Sequence, residues 1–364
     1  MVTLVSAPPL LRVRLPRYAA PAALVLSFAV SALIGLLLSW GIVPITIVAG
    51  ILFAIAFPTW AAVVEGRRSA VDKAATVIIW EAFLVICVPL IWLLVSVIGK
   101  GLPHVSWRFI STSMRNYTAG DPNSGGIVHA LIGTLEITGI AALIAVPLGL
   151  MTAIYLVEYG GGSRLARIVT FLIDVMTGIP SIVAGLFALA LFFLIVGPSA
   201  AIMGFAGAVA LSLLMAPTVV RSAEEMLRLV PNDLREASYA LGVPRWRTIL
   251  KVVVPTAIGG IVTGVTLAIS RVIGETAPLL MVAGYSDSTN TNPFKGPMTT
   301  LPTYIFGQYA YPDTVHAKLG SLVRPESASV PRMWAAALIL IVIVMLLNLI
   351  ARVIGKIFAP KTGR

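Results

Sequence analysis

Arg271 and Glu275 stand four positions apart inside a run of 33 residues, Val252–Gly284, that is otherwise free of charge. At that spacing an arginine and a glutamate can meet on one face of a helix. One reading is a structural ion pair holding a helix bundle together. The sharper reading is chemical: Arg271 meets an anionic substrate, and Glu275 holds the guanidinium and keeps the empty site from binding too tightly. The planar guanidinium donates in a fork to phosphate or carboxylate oxygens and never deprotonates. The flanking sequence, Ser270-Arg271-Val272-Ile273-Gly274-Glu275-Thr276-Ala277-Pro278-Leu279-Leu280, puts helix breakers around both charges. A second break is written as Thr177-Gly178-Ile179-Pro180-Ser181. There the simpler reading is a proline kink; the alternative is that freed N–H groups and the hydroxyls of Thr177 and Ser181 donate to an oxyanion. Three more acids, Glu81, Glu136 and Asp174, fall inside long apolar runs. A charge at the centre of a bilayer costs about 2.5–3.5 kcal/mol on insertion scales. Glu136 and Asp174 have no evident partner and suit either a proton relay or, more simply, helix packing. Glu81, nearer one end of its run, can reach lipid headgroups.

The elements that must position these residues are membrane helices. The 364 residues are 58% hydrophobic and 11% charged, with a mean hydropathy of +0.97; a soluble domain carries about 25% charged residues. About 20 apolar residues span a bilayer as helix. The qualifying runs are Ala22–Trp40, Ile42–Val64, Ala74–Ile98, Ile127–Leu156, Ile168–Val196, Ser199–Val220, Val252–Gly284 and Trp334–Ala351. The fold class is therefore an all-α integral membrane protein with eight predicted transmembrane helices. The alternating segments of about 10 residues that build a membrane barrel do not occur. Val252–Gly284 would measure roughly 50 Å as straight helix, so tilt, a break or protrusion is expected.

With the N-terminus inside, 18 Lys and Arg fall in inner segments and 7 in outer ones, with Arg271 inside a span. Basic enrichment on the cytoplasmic side sets topology, so both termini are expected in the cytoplasm. The net charge of +11 is mostly this signal; no basic patch interleaved with aromatics points to nucleic acid. Cys87 is the only cysteine, and His104, His129 and His316 are too scattered for a metal site. Arg12, Arg14 and Arg17 before an apolar run resemble a signal peptide, but the run is too long and a second follows at once; a retained anchor is expected. The outer loops, Lys100–Gly126 and Tyr285–Arg332, read as turns rather than a folded domain. Their aromatics, Trp107, Phe109, Tyr117, Phe294, Tyr304, Phe306, Tyr309 and Tyr311, read as interfacial anchors or as a docking rim.

Residues 221–251 form the largest inner loop. Pro231-Asn232-Asp233 offers a helix start, Asp233 and Glu236 fit a capping-box spacing, and Gly242 with Pro244 gives a stop. Leu234, Ala237 and Leu241 share one face of the short helix between them. This ridge suits either a partner's groove or the membrane surface.

Glu236-Ala237-Ser238, then Gly242, then Val252-Val253-Val254-Pro255, resembles the EAA loop of ABC-transporter permeases of the type I importer class. Ser238 replaces the second Ala, and Val252 and Val254 stand where Ile and Leu are usual. In that class the loop is a coupling helix seated in the ATPase subunit, which implies coupling roles for Glu236, Ala237, Leu241 and Gly242. This chain has no Gly-x-x-x-x-Gly-Lys-Ser/Thr phosphate loop, so ATP hydrolysis by that mechanism belongs to another polypeptide.

Three stretches together are similar to the PstA-type permease family of phosphate importers: Ala268–Arg271 through Gly274–Leu280, Gly178–Leu186, and Glu236–Arg247 with its Gly-Val-Pro-Arg-Trp-Arg. The resemblance implies a six-helix permease core over 74–353, an added hairpin within 1–73, and a cytoplasmic tail over 354–364. It implies a substrate path through Arg271 and Glu275, with Thr276, Ser181 and Thr177 beside them, and neither catalytic residues nor a metal. No cofactor is expected on this chain, ATP and Mg being held by the partner. Implied partners are a homologous PstC-type permease, two copies of an ATP-binding subunit, an extracytoplasmic phosphate-binding protein and membrane lipid, with no nucleic acid. The implied location is the cytoplasmic (inner) membrane of a prokaryote. Rival readings are a permease for sulfate, molybdate or phosphonate, a proton-driven secondary transporter using Glu136 and Asp174, and a membrane scaffold that transports nothing.

Overall fold

The computed structural model describes residues 14–115, 117–118, 124–311 and 329–358. Arg12, His316, residues 359–364 and parts of both outer loops lie outside the described residues. The chain divides into two units, residues 1–95 and 96–364.

In the first unit α1 (Ala19–Leu37) and α2 (Ile42–Glu65) pack as a hairpin. Ser31 Oγ donates to the Ile45 carbonyl at 2.6 Å, so a polar side chain inside an apolar pair is satisfied locally. α3 (Arg67–Gly101) begins one residue after α2 ends. Glu65 closes that corner, accepting from Lys73 Nζ at 2.6 Å and from Ser69. The expected inner loop over 65–73 is thereby reduced to Gly66, because Arg67 onward continues as helix. Glu81 Oε1 lies 3.7 Å from where a Cβ on Gly50 of α2 would stand, buried and, among the described residues, without a hydrogen-bond partner.

The second unit holds α4 (Trp107–Ser111), α5 (Val128–Ile154, continued by a π turn over Tyr155–Tyr159), α6 (Arg164–Thr177) and α7 (Ser181–Val196). It continues with α8 (Gly204–Arg228), α9 (Asn232–Ala240), α10 (Arg245–Thr248, continued by a π turn over Ile249–Val253) and α11 (Val254–Val272). α12 (Ala277–Val282), α13 (Leu301–Ala310) and α14 (Ser329–Phe358) complete it. α8 lies at the centre, packed along α5 and α11, and α11 packs in turn on α14. Ile137, Ala141 and Ala145 of α5 meet Leu211 and Met215 of α8 and Ala268 and Val272 of α11. Small residues at these seams let helix backbones approach closely, which drives helix association where the solvent is itself apolar.

Seven described helices are long and apolar enough to cross a membrane; the α6–α7 pair makes an eighth if it is one crossing. Three expected spans change form. Ile168–Val196 is not one straight helix: α6 and α7 meet at a bend of 109°. α8 runs eight residues past the expected end at Val220, shortening the inner loop. Pairing of Glu224 with Arg221 (3.0 Å) and Arg228 (2.5 Å) on that last stretch supports the extension. The third, Val252–Gly284, breaks after Val272.

The outer segments are more ordered than turn-rich composition suggests. α13 starts with a capping box between Thr300 and Thr303. Phe109 and Tyr304 are core residues, whereas Trp107, Phe294, Phe306, Tyr309 and Tyr311 are exposed. Arg332, only 1% exposed, donates to Gln308 Oε1 and to the Ser124 carbonyl, both at 3.1 Å, with its guanidinium over the Tyr117 ring. A buried cation held by two acceptors and a ring face fastens the loop over 100–126 and α13 to α14.

Candidate functional site

α11 ends at Val272 and the chain turns through Gly274: the Glu275 N–H donates to the Val272 carbonyl at 3.1 Å, three residues back, and Pro278 opens α12. That turn takes Glu275 out of helical register with Arg271. Among the described residues no carboxylate lies within salt-bridge distance of Arg271, and it has no hydrogen-bond partner. The expected Arg271–Glu275 pair is therefore not formed, because i, i+4 pairing requires a continuous helix.

The two side chains instead line one cleft of about 170 Å³, together with Thr177, Ser181, Pro217 and Thr218. Thr276 is not among the lining residues. The 109° break between α6 and α7 carries Thr177 and Ser181 to this cleft and is far sharper than a proline kink. The Thr177 hydroxyl donates to the Ile173 carbonyl at 2.9 Å, so its proton is engaged within α6. Ser181 is different. It starts the 16-residue α7 directly after Pro180, whose carbonyl accepts from the Val183 and Ala184 N–H groups, leaving those of Ser181 and Ile182 without an intrahelical acceptor. A helix N-terminus with its dipole favours an anion. Gly185 brings α7 against the second break: a Cβ there would stand 2.6 Å from Pro278 Cα. Contact this close allows only glycine, and it joins α7 to α12 beside Glu275.

Asp174 is no free relay acid. It pairs with Arg221 of α8, which also donates to Glu224 at 3.0 Å. Among the described residues, Glu136 Oε2 on α5 and Ser270 Oγ on α11 are buried without hydrogen-bond partners. Pro217, Thr218 and Leu214 of α8, which complete the cleft, carried no signal in the sequence: apolar residues and one threonine on a membrane helix look like any other lipid-facing or packed turn.

The inner loop builds a second surface. α9 starts at Asn232 after Pro231, with no side-chain cap, so the Asp233–Glu236 capping box does not form. Its C-terminus is closed by a Schellman motif: the Gly242 N–H donates to the Tyr239 carbonyl at 2.9 Å and the Val243 N–H to the Ser238 carbonyl at 3.2 Å. Gly242 takes φ +75°, a conformation that strains any residue with a Cβ. Ser238 is buried and its hydroxyl shares a 2.8 Å hydrogen bond with that of Thr248, so the one departure from the usual alanine is used inside the protein. Leu234, Glu236, Ala237 and Leu241 are all exposed, Leu241 at 84%. Among the described residues no group of three or more His, Cys, Asp or Glu could hold a metal.

A polar cleft at two helix breaks and an exposed inner helix suit a membrane permease driven by a partner. Residues 145–364 match the family described as binding-protein-dependent transport system inner membrane component. One chain of a solved bacterial alginate ABC transporter, in complex with an alginate pentasaccharide-bound periplasmic protein, has the same fold. The TM-score is 0.52 over 78% of this chain and 96% of that one, at 14% identity. The chain is thus an inner membrane component of a binding-protein-dependent transport system. Phosphate transport system permease protein PstA 1 of Mycobacterium tuberculosis (strain ATCC 25618 / H37Rv) is 48% identical over 288 residues, which cover 79% of this chain and 88% of that protein. PstA of Pasteurella multocida (strain Pm70) is 38% identical over 275 residues, covering 76% and 89%. The chain belongs to the PstA family of phosphate transport system permeases.

Proposed function

We propose that this chain is the permease subunit of an ATP-driven inorganic phosphate importer, forming the translocation path with a homologous permease and coupling to a separate ATPase. The observation that carries the substrate site is the Arg271 cleft: an arginine without a partner among the described residues, sharing a cleft with Ser181 at the start of α7, at two helix breaks. Phosphate oxygens accept from the guanidinium fork and from Ser181 and the N–H groups that begin α7. Glu275, which has no ion-pair partner among the described residues, accepts a hydrogen bond from the P–O–H group that hydrogen phosphate still carries at neutral pH. Sulfate has no such proton, so the same carboxylate repels it. Asp174, being paired to Arg221, is poorly placed for a proton-driven mechanism. Basic enrichment supports both termini and α9 in the cytoplasm, and the likeness to bacterial inner membrane transport components supports the inner membrane of a prokaryote as the location. An extracytoplasmic binding protein delivers substrate to the outer segments, and two ATP-binding subunits act from inside, one of them through α9.

The test is labelled-phosphate uptake in cells lacking their own high-affinity system. They express this chain with its sister permease, ATPase and binding protein, against excess unlabelled sulfate or molybdate. Uptake that needs this chain and resists both competitors is the expected result. An assembled complex that fails to restore phosphate uptake would overturn phosphate as the substrate. In the same assay Glu275→Gln is expected to lower phosphate uptake by about 10-fold, the effect of one charged hydrogen bond. Sulfate then competes where it did not before; uptake and selectivity equal to the unsubstituted chain would remove Glu275 from the path.

A further inference from the structure

Three parts of the inner loop converge on the last turn of α5. Arg235, in the first half of α9, donates through Nε (3.1 Å) and Nη2 (2.8 Å) to one carboxylate oxygen of Glu158. Its remaining hydrogens cap the end of α8, donating to the carbonyls of Val230 (2.6 Å) and Leu227 (2.9 Å). Arg245, just past α9, donates to the Glu158 carbonyl and lies over the Tyr159 ring with 5.0 Å to the centroid. Glu158 is buried, its side chain 4% exposed, and Arg235 nearly so at 13%. Both arginines line a cleft of about 320 Å³ beside α9; Arg235 spends its N–H groups on protein acceptors, Asn232 Oδ1 included, and so serves as a joint between helices. Both helices that meet α9 here, α5 and the α10–α11 helix, carry a π turn at that end. π turns inside α-helices occur mostly at functional sites.

We infer that the Arg235–Glu158 pair is the strut that carries movement of α9 into α5, so that breaking it uncouples ATP hydrolysis from transport without dismantling the complex. The far end of α5 shows where the movement goes. Thr134 Oγ1 accepts from the Leu301 N–H at 2.7 Å, tying α5 to α13 in the outer segments. Between the two ends, Ile137, Ala141 and Ala145 pack in the same core as Val272, next to Arg271. A stroke delivered to α9 therefore reaches the substrate cleft and the outer segments along one helix. Without the ion pair, α9 still holds to α10 through Ser238 and Thr248, so the ATPase still docks and turns over, but α5 no longer follows. Arg235 and Glu158 are positioning residues: neither lines the Arg271 cleft.

The proposal rests on the importer reading, and its test separates the two. The complete complex, with Glu158→Gln in this chain, is reconstituted in proteoliposomes, and ATP hydrolysed per phosphate imported is measured. The ratio is expected to rise about tenfold, within the range by which residues along a coupling route alter it. Arg228→Gln is the control. Arg228 lines the same cleft, is largely exposed and among the described residues pairs only with Glu224 of its own helix, so the ratio should stay unchanged. A spin label at Leu135, exposed toward the outer end of α5, reports the link without any substrate, in a Cys87→Ser background. Its mobility should change with ATP in the native pair and not in Glu158→Gln. Should Glu158→Gln fail to assemble, Glu158→Asp, which keeps the charge but shortens the reach, takes its place in both measurements. A ratio within twofold of the unsubstituted complex, or a label response that survives the substitution, overturns the strut. Absence of phosphate import by the unsubstituted complex would overturn the importer reading alone, since the label response stands independently of it.

Discussion

Arg271→Gln is expected to abolish phosphate uptake while leaving the complex assembled in normal amount. The size follows from what the fork supplies. A hydrogen bond to a charged group contributes about 1.5–3 kcal/mol, so removing both donors of the fork reduces uptake by roughly 100-fold or more. The fold should not suffer. Arg271 makes no ion pair or hydrogen bond among the described residues, and its neighbours Val272 and Ala268, not its side chain, hold α11 in the core. Removing an unpaired cation from a helix read as spanning the membrane relieves a cost rather than creating one. Arg271→Lys keeps the charge but replaces the planar fork by a point donor, and partial uptake is expected. Uptake and co-purification of the partner subunits, measured on the same preparations, check both halves. Normal uptake by Arg271→Gln would exclude the arginine from the path, and failed assembly would make it a structural residue after all.

Local features of this site were legible in the sequence, and long-range ones were not. Gly242 and Pro244 marked the end of α9 because a Schellman closure needs a left-handed residue at a fixed place, and Gly242 supplies it at φ +75°. The run from Thr177 to Ser181 marked a break, since Gly and Pro interrupt a helix whatever surrounds them. It could not give the 109° angle, which depends on α7 closing against Pro278 through Gly185. Arg271 and Glu275 were legible as members of one site but not as unpaired members. The i, i+4 argument presumes a helix through Gly274, whereas the helix ends two residues earlier at Val272. Asp174 finds Arg221 across 47 positions, and Glu158 finds Arg235 across 77. No spacing rule reaches that far, because such pairs are set by which helices pack together. Glu158 also stands just past the apolar run Ile127–Leu156, where a single acid beside a tyrosine gives no pattern to notice.

Leu241→Glu is expected to weaken docking of the ATPase rather than the fold of this chain. Leu241 is 84% exposed at the end of α9, with Leu234 and Ala237 on the same side, so substitution leaves internal packing intact. A leucine moved from water into a partner's groove contributes about 1.5–3 kcal/mol. Its removal should weaken association about 10- to 100-fold, more once the carboxylate must be desolvated. Glu236→Lys tests the same surface by charge: Glu236 is exposed, and reversing it changes what the partner meets while leaving Ser238–Thr248 and Arg235–Glu158 intact. Both variants should reach the membrane in normal amount and retain less ATPase subunit on purification. The competing use of an exposed apolar ridge on a short inner helix is to lie on the lipid surface. In that case Leu241→Glu would loosen the helix from the membrane, yet ATPase recovery would equal that of the unsubstituted chain. Equal recovery in both variants would therefore assign the ridge to lipid, whereas a decrease in both requires a protein groove that reads Leu241 and Glu236 together.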